Sequence, residues 1–348
     1  MTSLSESVTP PYIADIRSQP EALQRLLDQG LPTSARGLLQ RLPTFGRVIM
    51  TGMGASLHAL YPGFLALAAA GVPVWCIEAA ELLSDAGGLV TADSLLWVTS
   101  QSGRSAEIAP LLARSPRPRA ILAVTNDTAG PLAAAADAVI ELCSGEEHTV
   151  GTRSYLNSLA AHLMATEAAL GRPVPRDVYD MPGRLAGYLK QWDDHLAAWD
   201  AAVSQDILFT VGRGASLAAA RTGALIVKEA AKTPLEAMSA PQFRHGPLEM
   251  ADATTCVIVL PGTAADAVAN DRLAADLSAV GANAVRLTEG HDSGLRGRPG
   301  PWMPEVGADG TRPIAEIMPF QLLSVVLAER QGLEPGTFRQ IAKVTTVL

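Results

Sequence analysis

A short stretch that occurs twice decides the fold. Residues 51–57 read Thr-Gly-Met-Gly-Ala-Ser-Leu, and 160 residues later residues 211–217 read Val-Gly-Arg-Gly-Ala-Ser-Leu. Each copy follows a short apolar run and precedes a longer Ala- and Leu-rich segment, which is the pattern of a strand, a tight turn and a helix. Two such copies predict a duplicated fold.

Outward from these stretches, short apolar runs alternate with longer helical segments, which is typical of an α/β protein with parallel sheets. In the first half, the expected strands are residues 47–51, 72–77, 95–100, 120–125 and 138–142. A new strand at residues 207–211 begins the second half. We therefore predict two doubly wound parallel sheets, each covered by helices on both faces.

Breaks in this pattern divide the chain into five parts. They are a helical lead-in (residues 1–44), a first unit (45–172), a linker helix (173–203, with its helical pattern over 177–202), a second unit (204–335) and a C-terminal tail (336–348). Within the second unit, the Gly- and Pro-rich residues 289–312 predict a surface loop before a last helix at residues 317–331.

Composition and charge exclude several classes of protein. The 348 residues include 27 Lys and Arg against 35 Asp and Glu, a formal net charge of −8, so we expect no nucleic-acid partner. The longest apolar stretch, residues 64–77, is interrupted by Gly71 and Pro73 and is shorter than the ~20 residues that span a bilayer. The N-terminus does not have the pattern of a secretory signal. We therefore expect a cytoplasmic protein with no membrane partner.

The sequence predicts neither a metal site nor a cofactor. Cys76, Cys143 and Cys256 lie in apolar runs without C-x-x-C spacing, which favours buried free thiols over disulfides or metal ligands. After Gly54 and after Gly214, the third glycine of a dinucleotide-binding motif is missing, so the Gly-x-Gly pairs are weak evidence for a nicotinamide cofactor.

A hydroxyl-rich loop follows the third strand of the first unit. Residues 100–105 read Ser-Gln-Ser-Gly-Arg-Ser, whereas the corresponding residues 261–265 of the second unit read Pro-Gly-Thr-Ala-Ala. Backbone N–H groups and hydroxyls at such a strand end bind phosphate groups, and Ser56 ends the neighbouring strand. Either loop alone also fits simple helix capping, but the two together favour an anion site in the first unit.

Further candidate residues do not stand out on their own. Glu229 follows Lys228 on a helix that Pro234 ends, His245 lies in a turn, and Lys343 lies in the tail. Individually they fit a solvated helix face, an ordinary surface histidine and a tail lysine.

Taken together in chain order, these motifs resemble the sugar isomerase (SIS) family. The Gly-x-Gly-Ala-Ser turn, the Ser-Gln-Ser-Gly loop, the Lys-Glu pair, the His-Gly-Pro turn and the terminal Ala-Lys-Val-Thr carry the resemblance, which covers essentially the whole chain. Within the family, the chain is most similar to the isomerase half of glutamine–fructose-6-phosphate aminotransferases and to glucosamine-6-phosphate deaminases of the same fold. The resemblance implies two tandem flavodoxin-like domains.

The resemblance also implies roles for individual residues. The residues matching those that hold the sugar phosphate are Ser56, Ser100, Gln101, Ser102 and Ser105. Those near the sugar are Val150, Thr152 and Ala342. Glu229 matches the base that moves a proton between C1 and C2, and Lys343 matches the lysine associated with the open-chain keto sugar. His245 matches the ring-opening histidine, which reaches the site from the neighbouring subunit and so implies a homodimer.

Two departures bear on the reaction. The family's synthase has a lysine three positions before its glutamate, where this chain has Ile226, and it begins with a glutaminase domain, whereas here Thr2 follows Met1. We therefore expect no glutamine hydrolysis, and a deaminase that converts glucosamine 6-phosphate to fructose 6-phosphate and ammonia. The alternatives are a deaminase for galactosamine 6-phosphate, a deglycase, an aldose–ketose isomerase, a synthase-type subunit lacking its glutaminase, and a non-catalytic sugar-phosphate sensor.

Overall fold

Between residues 9 and 44, the lead-in is helical. The computed structural model of the protein describes residues 9–290 and 300–345. The lead-in helices are α1 (Pro11–Arg17), α2 (Gln19–Gln29) and α3 (Thr33–Gln40). They bury Ile16, Leu23, Leu26 and Leu39 completely in the main hydrophobic core, so they belong to the folded body and do not form a separate arm.

The first unit is a parallel sheet with helices on both faces. Its elements are β1 (Arg47–Gly52), α4 (Gly54–Ala69), β2 (Val74–Glu78), α5 (Ala79–Leu83), β3 (Ser94–Thr99), α6 (Ile108–Leu112), β4 (Ala120–Thr125), α7 (Pro131–Ala135), β5 (Ala138–Glu141) and α8 (Arg153–Ala169). The strand order is β2-β1-β3-β4-β5, with every neighbouring pair parallel. This is the flavodoxin-like order, and each predicted strand is present within two residues of its expected ends.

The linker contains a break that the helical pattern did not predict. Instead of one helix over residues 177–202, the chain forms α9 (Asp177–Leu189) and α10 (Trp192–Ala202). At the break, the Tyr188 carbonyl accepts a hydrogen bond from the Gln191 N–H at 3.1 Å and lies 2.9 Å from His195 Nε2. These contacts replace the regular helical hydrogen bond, so the helix ends.

The second unit repeats the architecture with a smaller sheet. Its elements are β6 (Ile207–Gly212), α11 (Ser216–Ala231), β7 (Glu236–Ser239), α12 (Ala240–Arg244), β8 (Thr255–Val259), α13 (Ala267–Ala279), β9 (Asn283–Arg286) and α14 (Arg312–Arg330). The strand order is β7-β6-β8-β9, again parallel. Short 3-10 helices lie at Leu42–Thr44, Gly87–Leu89, Pro247–Met250, Ala264–Asp266 and Asp309–Thr311.

The expected surface loop at residues 289–312 is partly buried. β10 (Thr288–Glu289) pairs in parallel with β11 (Trp302–Met303), and Trp302 and Met303 are buried. Residues 291–299 of this loop lie outside the described residues. The last helix, α14, begins at Arg312 and not at residue 317, because Pro313 in its first turn has a backbone suited to a helix start.

Helices from both units pack together in one continuous core. α4 contacts α8 and α11, and α11 in turn contacts α14. The Tyr155 hydroxyl on α8 donates to the Ala218 carbonyl on α11 at 2.9 Å. This packing brings the carboxyl ends of β1 and β3 opposite the C-terminal half of α11.

The cysteines are free, and they differ in burial. Cys256 is buried, as predicted, and burial raises its pKa to about 12. Cys76 and Cys143 are only half-buried, contrary to the expectation that all these thiols are buried. In the described part of the chain, no helix has the length and apolar character needed to cross a membrane.

Candidate active site

A cavity of about 400 Å³ lies between the two units. One wall is formed by the ends of β1 and β3 with the residues that follow them, and another by α8. Leu225, Ile226 and Glu229 of α11 line the side that belongs to the second unit. Residues 338 and 341–345 line the remaining side. The cavity therefore depends on three separate parts of the chain.

Hydroxyl-bearing side chains surround the first-unit end of the cavity. The predicted phosphate-binding residues Ser56, Ser100, Gln101, Ser102 and Ser105 all line it. The loop turns through Gly103, at φ +61°, whose N–H donates to the Ser100 carbonyl at 3.1 Å. Hydroxyls and backbone groups, rather than a cation, therefore face the cavity here.

The arginine of this loop has a different partner. Arg104 is absent from the cavity lining, and its Nε donates to Asp127 Oδ2 at 2.8 Å. Its guanidinium is therefore used to fix the loop to the turn after β4.

Glu229 has the properties of a proton-transferring group. It lies near the end of α11, beside the fully buried Ile226. Burial raises its pKa to about 7, although the charges of Lys232 and Lys343 oppose the rise. Both protonation states are thus accessible near neutrality, as general acid–base chemistry requires.

The C-terminal segment is attached to both units. Lys232 follows the last residue of α11 at φ +56°, and its Nζ donates to the carbonyls of Glu229 and Thr337. Further along, the Ala106 N–H donates to the Thr345 carbonyl at 3.0 Å. The segment therefore bridges the end of α11 and the hydroxyl-rich side of the cavity.

A buried glutamate holds Lys343, and sequence reasoning did not identify it. Glu147 Oε2 lies 3.0 Å from Lys343 Nζ and accepts a hydrogen bond from the Ser154 hydroxyl at 2.6 Å. Glu147 Oε1 accepts from the Thr152 N–H at 2.8 Å. Burial acts to raise the pKa of Glu147, but Lys343 and these hydrogen bonds outweigh it and hold the pKa below its ordinary value. Glu147 is therefore a fixed anion.

Of the three residues predicted to contact the sugar, one lines the cavity and two do not. Ala342 lines the cavity, whereas Val150 and Thr152 are fully buried and do not. Their neighbours Thr149 and Gly151 line it instead. Thr152 acts on the cavity indirectly, through its hydrogen bonds to Glu147.

His245 is not part of this chain's own cavity. It follows α12 in the second unit, is exposed, and is absent from the cavity lining. Its proposed role therefore needs a second chain. Among residues 9–290 and 300–345, no group of three or more His, Cys, Asp or Glu side chains is arranged to hold a metal ion.

Together these groups provide three chemical capabilities in one cavity. Hydroxyls at the strand ends can bind an oxyanion, Glu229 can accept and return a proton near neutrality, and the Lys343 ammonium can stabilise a developing negative charge. This combination suits proton transfer next to a carbonyl in a molecule that also carries an anionic group.

Comparison with known proteins places the chain in a family. The family profile described as "SIS domain" matches residues 45–171 and 203–298. A glutamine–fructose-6-phosphate aminotransferase (isomerizing) of Pyrococcus horikoshii is 28% identical over 355 residues, which cover 96% of this chain and 57% of that relative. The chain thus spans little more than half the length of this curated relative.

Solved structures share the fold. A tagatose-6-phosphate ketose/aldose isomerase from Escherichia coli aligns with a TM-score of 0.81 at 20% identity, covering 99% of this chain and 100% of that one. A glucosamine-6-phosphate deaminase from Thermotoga maritima aligns with a TM-score of 0.73 at 17% identity, covering 96% and 99% respectively. At these identities the likeness concerns the fold.

The Glu147–Lys343 pair generates a prediction about stability. Glu147→Ala should lower the free energy of unfolding by about 3 kcal/mol, because it leaves Lys343 and Ser154 without their buried partner. It should also speed tryptic cleavage after Lys343. Urea unfolding and mass spectrometry of digests measure the two effects. The matched control is Glu146→Ala, whose side chain is 83% exposed; if both variants matched the wild type, the anchoring role of Glu147 would be wrong.

Proposed function

The chain belongs to the SIS domain family, and from that premise we propose that it is a phosphosugar enzyme that deaminates glucosamine 6-phosphate to fructose 6-phosphate. One observation carries this proposal: the hydroxyl-rich loop and Glu229 line the same cavity, and burial raises the pKa of Glu229 to about 7. The reaction consumes one water and releases one ammonia.

The phosphate group binds at the strand ends of the first unit. Ser56, Ser100, Gln101, Ser102 and Ser105 supply the hydrogen bonds, with the backbone of the loop. This binding is remote from C1 and C2, and its free energy orients those carbons toward Glu229.

Ring opening precedes the proton transfer. His245 of a neighbouring subunit assists it, because a histidine can donate and accept a proton near neutral pH. This requires a homodimer in which each cavity receives the histidine of the other chain. The exposed position of His245, outside its own chain's cavity, supports this arrangement.

Glu229 then moves a proton from C2 to C1. Its carboxylate removes the C2 proton of the open-chain aldehyde, and O1 takes up a proton, which gives an enolamine; the resulting Glu229 acid protonates C1 and the amino nitrogen gives up one proton, so the proton count balances. The product carries an imine at C2. Water adds to that carbon, and the C–N bond breaks to release ammonia and leave the ketone of fructose 6-phosphate.

Lys343 stabilises the charge that develops during this transfer. Glu147 and the Thr149 carbonyl both bind its Nζ, so the ammonium is held at the cavity without having to be ordered during the reaction. Ile226, where the family's synthase has a lysine, supplies apolar surface beside Glu229 and favours its raised pKa.

The deaminase proposal is tested by its products. With purified protein, glucosamine 6-phosphate and no glutamine, we expect stoichiometric ammonia and fructose 6-phosphate at a turnover of about 1 s⁻¹ or more. Coupled enzymatic assays measure both. Aldose–ketose conversion of a sugar phosphate without ammonia would identify a plain isomerase, and sugar-phosphate binding without any turnover would identify a sensor.

The role of Glu229 predicts a specific pH profile. The wild-type rate should rise as the pH increases through about 7, because the carboxylate form acts as the base. Glu229→Gln should abolish turnover and leave sugar-phosphate affinity nearly unchanged, as measured by steady-state kinetics and calorimetry. Lys228→Gln, on the exposed neighbouring position, is the control; appreciable activity in the Glu229 variant would refute the assignment.

A shared active site predicts complementation between inactive chains. Glu229→Gln and His245→Asn should each be inactive alone. After subunit exchange in an equal mixture, half of the dimers carry one intact site, so activity should recover to about a quarter of the wild type. If the mixture stays inactive although mixed dimers form, His245 does not act across the interface.

A further inference from the structure

The second unit contains a counterpart of the first unit's anion site. Ser216 occupies the position in the second repeat that Ser56 occupies in the first, 160 residues earlier. In both units the serine lies near the start of the helix that follows the first strand. Likewise, Gly262 and Thr263 follow β8 as the hydroxyl-rich loop follows β3. The two units therefore present similar groups at equivalent strand ends.

In the second unit, the chain's own carboxyl group lies at this position. Glu316 projects from α14 and is completely buried. The Ser216 hydroxyl donates to Glu316 Oε1 at 2.7 Å, and the backbone of Gly262 acts to lower the pKa of the same carboxyl group. A serine hydroxyl and a loop N–H at a strand end are the type of donors that the first unit offers to an external anion.

The carboxyl group of Glu316 is buried with few hydrogen-bond donors around it. Its Oε2 atom is buried and has no hydrogen-bond partner among the described residues. Burial raises its pKa to about 7, against the lowering effects of Ser216, Arg312 and Gly262. A carboxyl group buried with one unsatisfied oxygen is costly, so packing alone does not explain a glutamate here.

We propose that the second unit retains an oxyanion-binding site and that the carboxyl group of Glu316 is its built-in ligand. The site would take a small oxyanion, such as inorganic phosphate, once that carboxyl group is removed. The inference draws on the proposed function only for the phosphate role of the first unit. It also accounts for a single sugar-phosphate site per chain despite the duplicated fold.

Space for such an anion exists beside the carboxyl group. A cavity of about 210 Å³ lies between the units and is lined by Ser216, Thr263 and Arg213, among others. Thr166 also lines it, and its Oγ1 is buried without a hydrogen-bond partner in the described chain. Shortening the Glu316 side chain would leave the Ser216 hydroxyl, which lines this cavity, without its carboxyl partner.

Anion binding to variants of the full chain tests the proposal. Glu316→Ala should bind one more phosphate per chain than Glu316→Gln in equilibrium dialysis. Its melting temperature should rise by about 3 °C or more when phosphate replaces chloride at equal ionic strength. The isosteric Gln variant keeps the position filled, so it should show no such gain. The first-unit site is the same in both variants and contributes equally to both measurements.

A second substitution checks the donors. Adding Ser216→Ala to Glu316→Ala should abolish the extra phosphate, because it removes a principal donor. Glu316→Ser is a milder alternative to the Ala variant. If either variant recovers its folded state on refolding in phosphate but not in chloride, that result also supports the site. The proposal is wrong if neither Glu316→Ala nor Glu316→Ser becomes more stable in phosphate than in chloride. It is also wrong if both variants fail to refold in phosphate while Glu316→Gln folds normally. Failure of sugar-phosphate binding by the wild type would count against the proposed function instead.

Discussion

Close helix packing at two equivalent glycines is the constraint on which the cavity depends. Gly63 in α4 and Gly223 in α11 are 160 residues apart, so they occupy the same position in the two repeats. A Cβ atom at Gly63 would lie 2.6 Å from Thr166 Oγ1 on α8, and one at Gly223 would lie 2.3 Å from the Phe320 ring on α14. The absence of a side chain lets each repeat helix approach its partner closely. That approach sets the position of α11, and hence of Glu229, opposite the strand ends of the first unit.

The two repeats share this frame but use it for different chemistry. In the first unit, the serine at the repeated turn faces an open cavity, whereas in the second unit the equivalent Ser216 is bonded to Glu316. Burial raises the pKa of both Glu229 and Glu316 to about 7. Glu229 lines the large cavity and can meet a ligand, whereas Glu316 is fully enclosed. Duplication therefore supplied two similar strand-end sites, and the position of one carboxyl group decides which of them remains open.

Elements dictated by local pattern could be predicted from the sequence, and those dictated by distant contacts could not. β3 and β4 are buried at every position, so they appear as continuous apolar runs, as expected for central parallel strands. The break between α9 and α10 depends on the His195 ring near the Tyr188 carbonyl, which no helical periodicity reveals. Glu147 is a similar case, because its importance comes from Lys343, 196 residues away. The resemblance to a family directed attention to Glu229 and Lys343, but nothing in the spacing directed it to Glu147.

The charge of Lys343 acts on the pKa of two carboxyl groups, but the net pKa shifts of the two groups have opposite directions. The charge of Lys343 lowers the pKa of both Glu147 and Glu229. At Glu147 the ion pair is reinforced by hydrogen bonds from Ser154 and Thr152, which together outweigh complete burial. At Glu229, Lys343 and Lys232 offset only part of the effect of burial. Glu147 is therefore too weak a base to exchange protons near neutrality, while Glu229 is poised to do so. Because Lys343 belongs to the C-terminal segment, that segment both lines the cavity and lowers the pKa of the two acids within it.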